Sequence, residues 1–161
     1  MGLLLLSLSL VGSRPSSHEP HAGGVVVWLG ASAGAAAILI AMRTNLPRAA
    51  ALGLATGLLF ADGDISAKLV ASGGIWLLAL ISLIACYAVG TSVLQTAFQH
   101  GSALTAAGIA TLVTNAVPIA AGFVLFSEAL PPGARGGLQI AAFASIVAGA
   151  ALLGTAAARK T

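Results

Sequence analysis

The sequence predicts an all-α membrane protein, a bundle of about five transmembrane helices preceded by a short, truncated N-terminal helix. Hydrophobic residues make up 58% of its 161 residues and charged residues only 7%, whereas a soluble domain carries about 25% charged residues. Stretches without charged residues or histidine reach the roughly 20 residues that a bilayer-spanning helix needs; they are 22–42, 69–99, 101–127 and 136–158. Charge this sparse cannot coat a water-facing surface, so we expect lipid around the chain.

The first 23 residues do not form a complete membrane span. Residues 1–12 are too short to cross a ~30 Å hydrocarbon layer at about 1.5 Å per residue, so we expect a partial membrane helix, the tail of a longer one. A cleaved signal peptide is the alternative, but a positively charged start and a convincing cleavage site are missing. Residues 13–23 form a polar linker, in which Pro15 and Pro20 oppose helix continuation.

Residues 24–157 divide into five predicted transmembrane helices, and residues 158–161 form a short tail. Proline and glycine break the apolar pattern at Pro47, at Gly73 and Gly74, and at Gly101. Another turn follows at residues 131–133. The predicted helices are 24–42, 48–71, 75–98, 103–127 and 136–157.

Small residues recur at four-residue spacing within these helices. Gly30 and Gly34 form one such pair, and Gly53 and Gly57 form another. Such pairs allow the backbones of neighbouring helices to approach closely. They can equally reflect an alanine-rich and glycine-rich composition, so each pair predicts packing and no function.

The basic residues suggest an orientation in the cell membrane, since Lys and Arg favour cytoplasmic loops. Alternating helices would place the basic residues in two groups. We expect the first group and the carboxyl terminus in the cytoplasm, because that group lies directly at helix ends. The basic residues form no stripe that would bind nucleic acid. The first group is Arg43, Arg48, Arg159 and Lys160, and the second is Arg14, Lys68 and Arg135.

A polar face on the segment 103–127 is the first candidate for a substrate path. Thr111, Thr114, Asn115 and Pro118 recur at spacings of three and four, which places them on one side of a helix. Pro118 leaves a backbone carbonyl without its helical partner, which is tolerated beside protein or a wet cavity. The alternative is that these groups only join helices through hydrogen bonds.

Charged and polar residues on the two preceding segments add further candidates. Asp62 and Asp64 are ionisable groups within an apolar helix, a functional hypothesis by default. They lie towards its end, so an interfacial anchor in which Lys68 pairs with Asp64 is the alternative. On the segment 75–98, a second polar stripe runs beside Ser82 and Cys86. It consists of Tyr87, Thr91 and Gln95.

Several other residue types give no site. Trp28 and Trp76 lie towards segment ends, where an interfacial aromatic belt accounts for Trp76. His18 and His21 lack further strong ligands for a metal. Because phosphate-binding loops, nucleophile elbows and zinc-protease motifs are absent from the sequence, we expect no enzyme, no cofactor and no metal.

The carboxyl-terminal part of the sequence resembles the EamA-type drug/metabolite transporter superfamily. The resemblance rests on residues 97–105, Pro118, residues 127–131 and the helix 137–154. A repeat of that family ends with a proline-bearing helix, a glutamate, a short turn and a Gly-rich helix. Pro118, Glu128 and Gly137 match these roles.

The resemblance implies a function and an architecture. Family members have ten helices in two inverted five-helix repeats and move small metabolites or drugs by alternating access. We therefore expect a half-transporter or fragment, equivalent to one repeat, whose second half is another copy or a partner chain. The alternative is a non-transporting membrane scaffold or accessory subunit.

Overall fold

The computed structural model describes residues 21–41 and 47–126, together with the separate positions 137, 140, 141, 144 and 145. Within these residues the chain is all-helical. Helix α1 spans Ala22–Ala41, α2 spans Arg48–Ser72, α3 spans Ala79–Gln99 and α4 spans Ala103–Leu125. A 3-10 turn, Gly74–Leu78, leads into α3, and the separate later positions are also helical.

Four helical segments are long and apolar enough to cross a membrane. The third of them combines the 3-10 turn with α3, as Gly74–Gln99. The structure therefore confirms a helical protein with the predicted transmembrane pattern for these four segments. The predicted segment 1–12, residues 13–20 of the linker and the tail 158–161 lie outside the described residues, and only isolated positions of the segment 136–157 lie within them.

The breaks between helices fall where the sequence places them. Gly73 and Gly74 have φ angles of 74° and 60°, in the left-handed region that glycine adopts without steric cost. At the next break, Ser102 precedes α4, and its hydroxyl accepts a hydrogen bond from the Thr105 amide at 3.4 Å. This is the side-chain cap that serine commonly supplies at a helix start.

Helix α2 is the centre of the bundle. Most of its residues are buried, whereas α1, α3 and α4 are largely exposed. Each of those three helices packs against α2, and α3 and α4 make few contacts with each other. Arg48 at the start of α2 donates to the Ile40 carbonyl near the end of α1 at 2.7 Å, so α1 and α2 run antiparallel.

The contact between α2 and α4 depends on small residues. A methyl group at Gly53 would come within 2.7 Å of the Ala106 carbonyl oxygen, and one at Gly57 within 2.5 Å of Val113 Cβ. Glycine at both positions therefore allows the close backbone approach that the spacing predicts. Gly30 and Gly34 have no neighbouring atom within 4 Å of such a methyl group, so this pair makes no comparable contact.

Glycine also creates space between α2 and α3. The ring of Tyr87 lies against Gly63, where a methyl group would meet its Cε2 atom at 2.8 Å. The ring of Phe60 lies against Gly90 in the same way, at 2.7 Å. The centroids of the two rings are 5.5 Å apart. Each helix thus receives an aromatic side chain from the other.

Candidate functional site

Asp62 is the most deeply buried acidic residue among those that the structure describes. Only 1% of its surface is exposed. It lies ten residues before the last residue of α2, Ser72, which corresponds to about 15 Å along a helix and to the middle of a ~30 Å hydrocarbon layer. Both carboxyl oxygens lack a hydrogen-bond partner among the described residues.

Polar side chains from three helices surround this carboxyl group. The buried Ser32 hydroxyl of α1 lies beside it, close enough to interact with the carboxyl group, although the two groups do not meet in a hydrogen bond of regular geometry. Ser66, one turn further along α2, is fully buried and donates to the Ser82 hydroxyl of α3 at 3.1 Å. Cys86 Sγ lies 3.9 Å from the Ser82 hydroxyl. We call these five residues the Asp62 cluster.

The composition of the Asp62 cluster limits its chemistry. It offers one carboxyl group, serine hydroxyls and a thiol. In the described part of the chain, no three His, Cys, Asp or Glu residues come together as a metal site would require. Placing an ionised carboxylate at the bilayer centre costs at least ~2.5 kcal/mol, and burial without a partner adds to that cost. Such a group can exchange a proton or hold a positively charged group.

The acidic and basic residues of this helix have different surroundings. Asp64 is half-buried and accepts a hydrogen bond from the Tyr87 hydroxyl of α3. Lys68 is exposed, and its Nζ lies 4.1 Å from the centroid of the Phe126 ring. Asp62 alone of the three is fully buried. The interfacial interpretation therefore fits Lys68 better than it fits Asp62.

Part of the predicted polar face of α4 contacts α2, and part of it is exposed. Thr114 is half-buried and donates to the Gly57 carbonyl of α2 at 3.4 Å. Thr111 and Asn115 are exposed, and the Asn115 amide donates to the Thr111 carbonyl at 2.7 Å. Pro118 lies half-buried within the same helix.

The predicted stripe on α3 points largely away from the bundle. Tyr87, Thr91 and Gln95 are all exposed. The Thr91 hydroxyl donates to the Tyr87 carbonyl of its own helix at 2.7 Å. Because α3 and α4 make few contacts with each other, the structure does not bring the two stripes together. Tyr87 reaches a candidate residue of another helix, Asp64.

Two members of the Asp62 cluster were not predicted from the sequence. Ser66 follows Asp62 at the four-residue spacing that places both on one helix face, so this signal was present. Ser32 has no such signal, because serine among the alanines and glycines of α1 looks like one more small residue. Its position opposite Asp62 depends on how α1 packs against α2.

Comparisons with known proteins leave the family open: no family model matches the chain, and no curated protein or solved structure matches it. The fold and the site together define a class. The chain has the helices of a membrane protein, with an unpartnered carboxyl group buried in the central helix.

Proposed function

We propose that the chain is the membrane-embedded part of a transporter that moves a small metabolite or drug by alternating access. The observation that carries this proposal is Asp62, which is buried in the helix against which the other three pack, with no hydrogen-bond partner in the described chain. Ionisable groups at this depth mark substrate or proton pathways in membrane proteins. The chain is not proposed to be an enzyme.

A scaffold or accessory subunit is the second candidate. The polar side chains of such a protein would form hydrogen bonds between helices. Ser66 forms one with Ser82, and Thr114 forms one with the Gly57 carbonyl. Asp62 fits that description less well, because Ser32 of α1 lies beside it without a hydrogen bond of regular geometry, and its carboxyl oxygens have no other partner within the described residues. An apolar residue would serve a purely structural helix better.

The exposed polar side chains support the proposal that a second chain completes the transporter. Thr111, Asn115 and Gln95 are exposed in the described bundle, and polar groups in hydrocarbon need partners. We propose that they face another copy or a partner chain, as in the inverted repeats of the drug/metabolite transporters. In this arrangement the chain is one repeat in the cell membrane, with its carboxyl terminus in the cytoplasm.

The test compares two isosteric substitutions during transport into membrane vesicles, using a panel of metabolites and drugs. Asp62→Asn is expected to abolish transport, because it removes the ionisable group from the centre of the bundle. Asp64→Asn is the matched control, since it lies two residues away and keeps an oxygen that can accept from Tyr87. We expect it to retain transport.

Both variants must insert normally, which membrane fractionation and circular dichroism can check. Transport that survives Asp62→Asn would refute the role of this residue. Light scattering on the protein in nanodiscs tests whether a second chain is present, and we expect a protein mass of at least two chains. A strictly monomeric species that transports would refute the half-transporter arrangement.

A further inference from the structure

A cavity of about 540 Å³ lies between α1 and α4 and is open to the outside of the described bundle, where Val27 and Val124 of its walls are exposed. Its walls are Trp28, Ala31 and Ser32 from α1 and Val117 and Val124 from α4, while Leu58 of α2 forms part of its base. This volume lies within the range of about 300–1,000 Å³ that is typical of small-molecule sites. The cavity also meets the Asp62 cluster, because Ser32 belongs to both.

Two polar atoms in this apolar wall have no partner in the described chain. They are the indole nitrogen of Trp28 and the hydroxyl oxygen of Ser32, and both are buried. The Trp28 nitrogen can only donate a hydrogen bond. A buried donor without an acceptor is costly, and it gains most from a ligand that supplies one. Asp62 does not line the cavity and no lining side chain is charged, so a charged ligand held within these walls would lose its hydration without compensation.

The Trp28 nitrogen is buried in the described arrangement, so a ligand contacts it only when α1 moves away from α4. Helix α1 packs against α2 and makes few contacts with α4. The two helices approach at one end, where a methyl group on Gly24 would lie 3.5 Å from Leu125 Cδ2. A small separation of α1 from α4 would therefore break few contacts between these two helices, and binding at Trp28 requires this movement to expose the indole nitrogen.

We propose that this cavity binds an uncharged, largely apolar molecule that accepts a hydrogen bond from Trp28. The inference rests on the proposed transport function only in treating this ligand as the substrate. Binding itself needs no transport step, so it can be measured separately.

The experiment uses two probes of nearly the same shape, benzophenone and diphenylmethane, on the full chain in lipid nanodiscs. Benzophenone has a carbonyl acceptor and diphenylmethane has none. Because the sequence contains two tryptophans, Trp76→Phe leaves Trp28 as the sole indole in a ¹⁵N spectrum. We expect benzophenone to move the Trp28 indole proton downfield and to bind roughly threefold to tenfold more tightly than diphenylmethane, as one added hydrogen bond predicts.

Three further variants locate the binding. Trp28→Phe should make the two probes bind equally, since it removes the donor and keeps an aromatic ring. Ala31→Leu places three more carbon atoms in the wall beside Trp28 and Ser32, where they obstruct the proposed site, and it should weaken both probes at least tenfold. Ala33→Leu is the matched control, because Ala33 is exposed on the same helix and does not line the cavity; it should leave both affinities unchanged.

Other outcomes would overturn the proposal. Equal affinities for the two probes, or an Ala31→Leu protein that binds as before, would place the probes elsewhere in the protein or lipid. If the Trp28 indole proton already has a downfield, hydrogen-bonded chemical shift in the absence of a probe, lipid occupies the cavity and the proposal is wrong. If neither probe binds but transport still depends on Asp62, this inference is wrong and the proposed function stands. If benzophenone binds as expected but the protein transports nothing, only the proposed function is wrong.

Discussion

The ring of Tyr87 lies directly against Gly63, and its hydroxyl donates to the carboxylate of Asp64, the next residue of α2. A methyl group at position 63 would come within 2.8 Å of the ring. The ring is partly exposed, so it can swing outward, but this movement takes the hydroxyl away from Asp64. The glycine and the hydrogen bond therefore depend on each other.

This dependence predicts coupling between two substitutions. Tyr87→Phe should lower the free energy of unfolding by about 0.6 kcal/mol, the average for a hydrogen bond between membrane helices. In a Gly63→Ala background it should have almost no effect, because the methyl group has already broken the bond. A double-mutant cycle, measured by unfolding in mixed micelles, tests this. Additive effects would show that the two contacts are independent.

The two glycine pairs predict opposite responses to alanine. Gly57→Ala should lower the free energy of unfolding by about 1–3 kcal/mol, since its methyl group would overlap Val113 and the Ala110 carbonyl of α4. Gly30→Ala is the control and should leave stability unchanged or slightly raised, because its surroundings are open and alanine favours helices. Equal losses in the same unfolding assay would contradict the α2–α4 packing.

Asp62 predicts a conflict between stability and function. Asp62→Asn should raise the free energy of unfolding by about 1 kcal/mol, because an unpartnered carboxyl group costs more when buried than a neutral amide of the same shape. Asp64→Asn should lower it by roughly 0.5 kcal/mol, since a charged acceptor for Tyr87 becomes a neutral one. Unfolding in mixed micelles near neutral pH measures both values. A destabilised Asp62→Asn protein would indicate that the carboxyl group has a stabilising partner.

The ends of α2 predict the orientation of the chain. Arg48 and Lys68 are both exposed and lie towards opposite ends of this helix. After Cys86→Ser, a cysteine replacing Arg48 should react with a membrane-impermeant maleimide from the cytoplasmic side, and one replacing Lys68 from the other side. Labelling of both positions from one side would contradict a membrane-spanning α2, and reversed labelling would invert the topology.

The sequence alone determined the helices and their ends. Charge-free stretches of bilayer length identify three of the four described spans, and the breaks at Gly73, Gly74 and Gly101 fall where the structure has them. The remaining span, α2, contains charged residues and is delimited in the sequence by Pro47 and Gly73. These features are local, because helix length and turn chemistry follow from neighbouring residues. The sequence also indicated that Asp62 was exceptional, since an ionisable residue in an apolar helix is costly.

The tertiary structure decided which faces meet. In a membrane helix most positions on every side are apolar, so the pattern of hydrophobic residues does not show which side faces the protein. Gly53 and Gly57 therefore look like Gly30 and Gly34 in the sequence, yet only the first pair contacts another helix closely. For the same reason, the central position of α2 and the placement of Ser32 against Asp62 follow from long-range packing, which brings together residues 30 positions apart.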